Sequence, residues 1–334
     1  MPTITETRPL RFAQLPPLPL ECGRMLPHAT MAYHLDGTLA PARDNVILVL
    51  HALTGSADAA GDWWKGLIGP GRALDTDRHA VLAPNLLGSC YGSSGPSTGG
   101  EPFPAITTRD MARAVAVLLE SLGITTVQLV TGGSLGGMVA LEFVASFPGR
   151  AERAAVFAAP AAQPAVAIAW SHVQREAIRV GGAEGLRLAR QVAMISYRSP
   201  EGLQQRFARQ AGTQEAFRVQ EWLRAHGARL EARFDAASYL ALLDAMDTHD
   251  VSRGRGGIGE RLRESHTRLF GVGIPGDLFA PVESVQDWVR AAGGTYREIH
   301  SAHGHDAFLI EQDRVAHLLT EALGEGLELL KEVA

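Results

Sequence analysis

The stretch at residues 127–140, VQLVTGGSLGGMVA, constrains this chain more than any other. A short apolar run, 127–130, ends in Gly132-Gly133-Ser134-Leu135-Gly136, and a helix-patterned segment, 138–147, begins at once. Strand, G-x-S-x-G and helix in succession form the pattern of a nucleophile elbow. Such a turn holds its serine in a strained backbone conformation that lifts the hydroxyl clear of the sheet edge. Its neighbours must be tiny because strand and helix backbones almost touch there, and glycine alone removes the Cβ. The helix N-terminus beneath the serine also favours negative charge, which is what an acyl-transfer intermediate develops. An incidental glycine-rich turn would require neither the strand before it nor the helix after it.

The flanking sequence supplies a sheet for such a turn. Residues 45–50, NVILVL, and 79–83 are continuous apolar runs of the kind that form strands buried on both faces, and 154–159 is a third. Thr107 with Asp110 three residues on is a capping-box pattern that opens a helix running to about Leu122, stopped by Gly123. Strands alternating with helices at this spacing predict a mostly parallel sheet covered on both faces. Ahead of it, residues 1–15 read as a loose lead-in, and 20–23 with 29–34 as an antiparallel pair. From about 163 to 250 only helical patterning is found, which predicts a helical cap inserted between two strands. SRGRGGIG, 252–259, reads as its flexible return; one short RGG copy in a chain of net charge −5 is no case for RNA. The sheet then resumes at 267–273 and 296–300, with helices near 282–292 and from about 313. The expected division is therefore a core of residues 16–162 and 260–334 and a helical cap of 163–259.

Bulk properties narrow the function classes. The chain has 334 residues, 46% apolar and 20% charged, and its mild acidity offers no reason to expect nucleic acid or a membrane surface as partner. Two cysteines, Cys22 and Cys90, are too few for a disulfide framework or a cysteine-based metal site. No apolar run approaches the ~20 residues that span a bilayer. The N-terminal residues do not read as a signal peptide, so a cytoplasmic location is expected.

A serine hydroxyl needs a base within reach, itself oriented by a third group. In an elbow architecture these follow in the order acid, then histidine, on loops after later strands. Asp277 lies on the loop after 267–273, and His303 and His305 lie on the loop after 296–300. The two histidines compete for the base role; His305 adjoins the helix-like AFLIE segment, whose packing would fix its ring. Asp306 could cap that helix or face the site, and position does not decide. The oxyanion donors are expected at the N–H of Leu135, next after the serine, and of Leu53 in the loop HALTG that follows 45–50. His51, at the strand end, reads as structural. GVGIPG, 271–276, fits a dinucleotide fingerprint but sets Asp277 against the pyrophosphate position, with its helix several residues late. HGHD, 303–306, has no second ligand cluster upstream, so no metal site is expected.

These residues together resemble a known family, the homoserine O-acyltransferases of the α/β-hydrolase fold, chiefly the homoserine O-acetyltransferases. The resemblance is carried by HALTG at 51–55, WW at 63–64, IGPGRALDTDR at 68–78, NLLGSCYGSSGP at 85–96, ITTRDMARA at 106–114, GGSLGGMVALE at 132–142, VQREAI at 173–178, RFDAASYLALLDAMDTHD at 233–250 and HGHDAFLIE at 303–311. It implies Ser134 as nucleophile, Asp277 as acid and His305 as base. It further implies Asp306 at the substrate amino group and a cap arginine, Arg209 in preference to Arg206, at its carboxylate. The implied reaction is ping-pong: an acetyl group passes from acetyl-CoA to Ser134 and then to the side-chain hydroxyl of L-homoserine, in methionine biosynthesis. Acetyl-CoA is then a co-substrate, with no permanently bound cofactor, and a homodimer through the cap helices is implied. Succinyl-CoA as donor, L-serine as acceptor, and a serine esterase or thioesterase are the alternatives. The chain departs from the family by lacking an insertion after Ile178 and by GSLGG where GSMGG is common.

Overall fold

A computed structural model describes residues 8–98, 102–213 and 216–324; the end of the expected core segment, 325–334, lies outside the described residues. Its centre is an eight-stranded sheet of β1 (Arg11–Leu15), β2 (Ala29–Asp36), β3 (Val46–Leu50), β4 (Ala80–Pro84), β5 (Val127–Gly133), β6 (Ala151–Phe157), β7 (Arg268–Gly273) and β8 (Thr295–Glu298). The spatial order is 1-2-4-3-5-6-7-8. Strands β4 to β8 and β3 run parallel, while β1–β2 and β2–β4 are antiparallel.

Every residue of β3 and β4 is buried, as strands sandwiched between two helical layers must be. One face of the sheet packs on α1 (Thr108–Ser121), α2 (Leu135–Ser146) and α8 (Val282–Ala292). The other packs on α10 (Gln312–Leu323), Trp64 and Phe308. The capping box of α1 is complete: the Asp110 N–H donates to Thr107 Oγ1 at 3.2 Å, and the Thr107 N–H to the Asp110 carboxylate at 3.1 Å. Asp110 also accepts from the Glu21 N–H at 2.9 Å, which ties the N-terminal segment to α1.

Two expectations at the N-terminus are corrected. Residues 11–15 are not a loose lead-in but the edge strand β1, paired with β2 in register Arg11↔Tyr33 to Leu15↔Ala29. Residues 20–23 form a turn, not a strand, between the short pair Leu18–Pro19 and Met25–Leu26. Only Leu15 of β1 is buried, so the run carries no apolar alternation to reveal it.

Between β6 and β7 the chain forms α3 (Ala165–Ser196), kinked at Gly182, then α4 (Pro200–Phe207), α5 (Arg218–Glu231) and α6 (Ala236–Asp247). The return is anchored rather than loose. Arg255 donates to Glu142 at 2.9 Å and to Ser146 at 2.8 Å, and Arg253 to Glu21 at 2.7 Å. Helix α7 (Ile258–Arg263) follows, packed on α8 and α2, so the expected boundary at 259/260 falls inside a helix.

Candidate active site

The elbow is where the sequence puts it. Ser134 joins β5 to α2 with φ 55° and ψ −125°, a region that costs a non-glycine residue on the order of 1–3 kcal/mol. Hydrogen bonds pin it there: its N–H donates to the Phe157 carbonyl at 2.9 Å, and its carbonyl accepts from the Met138 N–H at 2.9 Å. The glycines explain themselves at Gly132 and Gly136, where a Cβ would stand 2.6 and 2.1 Å from the Leu50 carbonyl oxygen. No side chain fits between β3, β5 and α2 at that level.

The residues expected as acid and base meet, as the order of the chain implies. His305 Nδ1 lies 2.6 Å from Asp277 Oδ2, and both side chains are almost wholly buried. Asp277 is fixed through its other oxygen, which accepts from the N–H groups of Phe279 and Ala280 at 2.7 and 2.9 Å. With Nδ1–H donated to the carboxylate, His305 Nε2 keeps a bare lone pair, and it is buried with no hydrogen-bond partner. The ring sits among Tyr197, Phe279 and Phe308, at centroid distances of 5.3, 5.0 and 5.9 Å. Burial pulls its pKa down, but the charge and hydrogen bond of Asp277, helped by Asp306, win and leave it raised above the ordinary value. His303, the competitor, is half-buried and lines a neighbouring cavity instead.

Ser134 and His305 border one cavity of about 140 Å³, together with Leu53, Trp63, Arg190, Tyr197, Arg233, Asp306 and Phe308 among others. Leu53 belongs to the loop after β3, and His51 sets that loop. Its Nε2 accepts from the Leu86 N–H at 2.9 Å while Nδ1 lies 2.7 Å from the Ala52 carbonyl. Burial pushes the His51 pKa down to about 4, so the ring is neutral and its role is that of a brace. Leu135 opens α2, and its N–H is one of the first-turn donors a helix leaves without an internal partner. The paired tryptophans serve the same rim: Trp64 Nε1 donates to the Phe308 carbonyl at 3.0 Å, and Trp63 Nε1 to that of Ser56 at 2.9 Å.

Asp306 precedes the short helix α9 (Ala307–Ile310) without capping it, and pairs instead with Arg198 at 3.0 Å. The arginine expected at the substrate carboxylate, Arg209, does not reach this cavity. It is exposed beyond the end of α4, its guanidinium 5.3 Å from the Phe217 ring centroid, and Arg206 faces the neighbouring cavity. Two arginines of the helical insertion line the serine cavity, Arg190 and Arg233; Arg190 has Tyr197 two turns further along α3. That i, i+7 spacing places both on one helix face and was readable in RQVAMISY. Arg233, also missed, reaches the loop after β3, donating to the Thr54 carbonyl at 2.7 Å and to the Tyr91 hydroxyl at 2.6 Å. Among the described residues no three His, Cys, Asp or Glu side chains cluster as metal ligands would, and no helix is long and apolar enough to cross a membrane.

Comparison with known proteins identifies the fold and the family. Residues 45–232 match the model of an alpha/beta hydrolase fold family. The homoserine O-acetyltransferase of Thermus thermophilus is 44% identical over 90% of this chain and 87% of its own. That of Thermobifida fusca is 41% identical over 92% of both chains. The crystal structure of a homoserine O-acetyltransferase from Staphylococcus aureus superposes with a TM-score of 0.84 at 28% identity, covering 94% of each chain.

Proposed function

Since this chain belongs to the homoserine O-acetyltransferase family, on the α/β-hydrolase fold, we propose that it moves an acetyl group from acetyl-CoA to the side-chain hydroxyl of L-homoserine, a step of methionine biosynthesis. The observation that carries the proposal is the lining of the 140 Å³ cavity. Besides Ser134 and His305 it holds two cations, Arg190 and Arg233, and two anions, Asp62 and Asp306; Arg233 is spent on Thr54 and Tyr91, whereas Arg190 has no carboxylate partner among the described residues. Opposite charges either side of a nucleophile suit a zwitterionic amino acid, with Arg190 on the carboxylate and Asp306 on the ammonium.

In the first half-reaction His305 Nε2 takes the Ser134 proton as Oγ attacks the thioester carbonyl. The oxyanion is held by the N–H groups of Leu53 and Leu135, and the thiolate leaves with the proton from His305. In the second, His305 takes the proton of the homoserine hydroxyl. That oxygen attacks the acyl-serine, and collapse of the intermediate returns the proton to Ser134. The insertion of residues 163–259 acts as a cap that contributes Arg190, Tyr197 and Arg233 to the cavity and limits water, without which the acyl-enzyme would hydrolyse.

The test is a matrix of initial rates with acetyl-, propionyl- and succinyl-CoA against homoserine and serine. The acetyl-CoA and homoserine pair is expected to be fastest, with Arg190→Ala raising the KM for the acceptor. One methylene separates serine from homoserine, worth about 1–3 kcal/mol in a pocket, so serine is expected as a slow substrate. Free acetate without O-acetylhomoserine would replace this reading by an esterase.

We assign the enzyme to the cytoplasm, in keeping with two free cysteine thiols, Cys22 and Cys90. We also assign it a homodimer through the cap, where α3 leaves Val166, Ile168, Val173, Val180, Leu188 and Ile195 exposed. Sedimentation velocity is expected to give twice the chain mass, and a monomer at micromolar concentration would refute it.

A further inference from the structure

The cavity around Ser134 has room for an amino acid and the reacting end of a thioester, and ligand pockets for whole cofactors are several times larger. A second cavity, of about 410 Å³, opens on the other side of the loop at 302–306. Ala302 and His303 line it, whereas His305 and Asp306 line the first. Its other walls include Arg198, Arg206 and Phe207, and Trp222 from α5.

This cavity is electropositive. The Arg206 guanidinium lies 5.1 Å from the Phe207 ring centroid and 5.5 Å from that of Trp222, with no carboxylate partner among the described residues. Arg198 stands 6.0 Å over Trp222, its Nη2 on Asp306 and its Nε buried without a hydrogen-bond partner. His226 packs on Trp222 at 4.6 Å, and burial followed by Arg190, Arg229, Arg198 and Arg206 pushes its pKa down to about 4. Of these guanidiniums Arg198 and Arg206 line the cavity itself, Arg198 paired with Asp306 and Arg206 with no carboxylate among the described residues. A surplus of cations beside a chain of net charge −5, with an indole face among them, suits a phosphorylated purine.

We infer that this second cavity seats the nucleotide end of the acyl donor, with Arg206 and Arg198 on the phosphates and Trp222 supplying the flat wall for the adenine; the inference rests on the acyl-CoA reading above. The loop carrying His303 and His305 then separates nucleotide from thioester. The pantetheine arm, not the nucleotide, enters the serine cavity.

The experiment compares two donors and one fragment. Arg206→Ala is exposed and does not threaten folding. It is expected to raise the KM for acetyl-CoA about tenfold, the loss of one charged hydrogen bond, while the KM for S-acetyl-N-acetylcysteamine, which has no nucleotide, changes less than about twofold. Adenosine 3′,5′-bisphosphate is expected to quench tryptophan fluorescence, to compete with acetyl-CoA and to bind about tenfold more weakly to Arg206→Ala, with inorganic phosphate a poor substitute. Trp222→Phe should remove the quench. The inference is overturned if the bisphosphate does not compete, or if Arg206→Ala raises both donors' KM alike or neither. A wild-type enzyme that makes no O-acetylhomoserine would refute the acyl-CoA reading instead, and bisphosphate binding would still decide the cavity.

Discussion

Replacing Ser134 by alanine is expected to lower acetyl transfer by on the order of 10⁴- to 10⁶-fold, because in the proposed reaction its hydroxyl carries the acyl between two substrates. The residual rate would come from binding and the oxyanion donors alone. Intact-mass measurement after mixing with acetyl-CoA, without acceptor, should show one added acetyl on the wild type and none on the variant. Alanine keeps the backbone of the turn, so the urea midpoint should stay near that of the wild type. An acetyl-labelled Ser134→Ala protein would mean that the nucleophile lies elsewhere.

Asp277→Asn is expected to reduce kcat by about 10⁴-fold while leaving KM for either substrate much as it was. The asparagine oxygen can still accept from Phe279 and Ala280, but its amide group now faces His305 Nδ1. An N–H donor there forces the proton to Nε2, the atom that must be bare to take it from Ser134. The pH profile carries the second signature. In the wild type His305 has a raised pKa, so the base is protonated, and activity lost, as pH falls through a point above the ordinary histidine value of about 6.5. Without the Asp277 charge, burial dominates and the residual activity should persist to lower pH. An unmoved acid limb would assign that titration to another group.

Much of this site was legible because its logic is local. Ser134 is announced by glycines that no other residue could replace between Leu50 and α2, and Asp277 and His305 follow at the ends of β7 and β8 in the expected order. The family resemblance implied a charged pair at the substrate with Arg209 as the cation, just past the end of α4 and outside the serine cavity. The exposed position of Arg209 and the inward turn of Arg190 depend on how α3 crosses the core, and the sequence does not carry that tertiary fact. The edge strand β1 was invisible for a related reason: it buries one residue, and its stability comes from hydrogen bonds to β2 rather than from an apolar pattern. The arginines of 252–259 looked like a tether because their partners, Glu21 and Glu142, lie more than a hundred residues earlier.

The bond network of Arg233 ties two motions into one. This residue stands between α5 and α6, yet it grips the Thr54 carbonyl and the Tyr91 hydroxyl, one residue past Leu53 and in the loop beyond β4. An outward swing of the helices would tear those bonds and slacken the loop that offers the Leu53 N–H. If the proposed reaction needs such an opening, it would weaken the proposed oxyanion support at the same moment, and water admitted through the gap would find the acyl-serine less activated. Protection against wasteful hydrolysis is in this sense wired to the door itself.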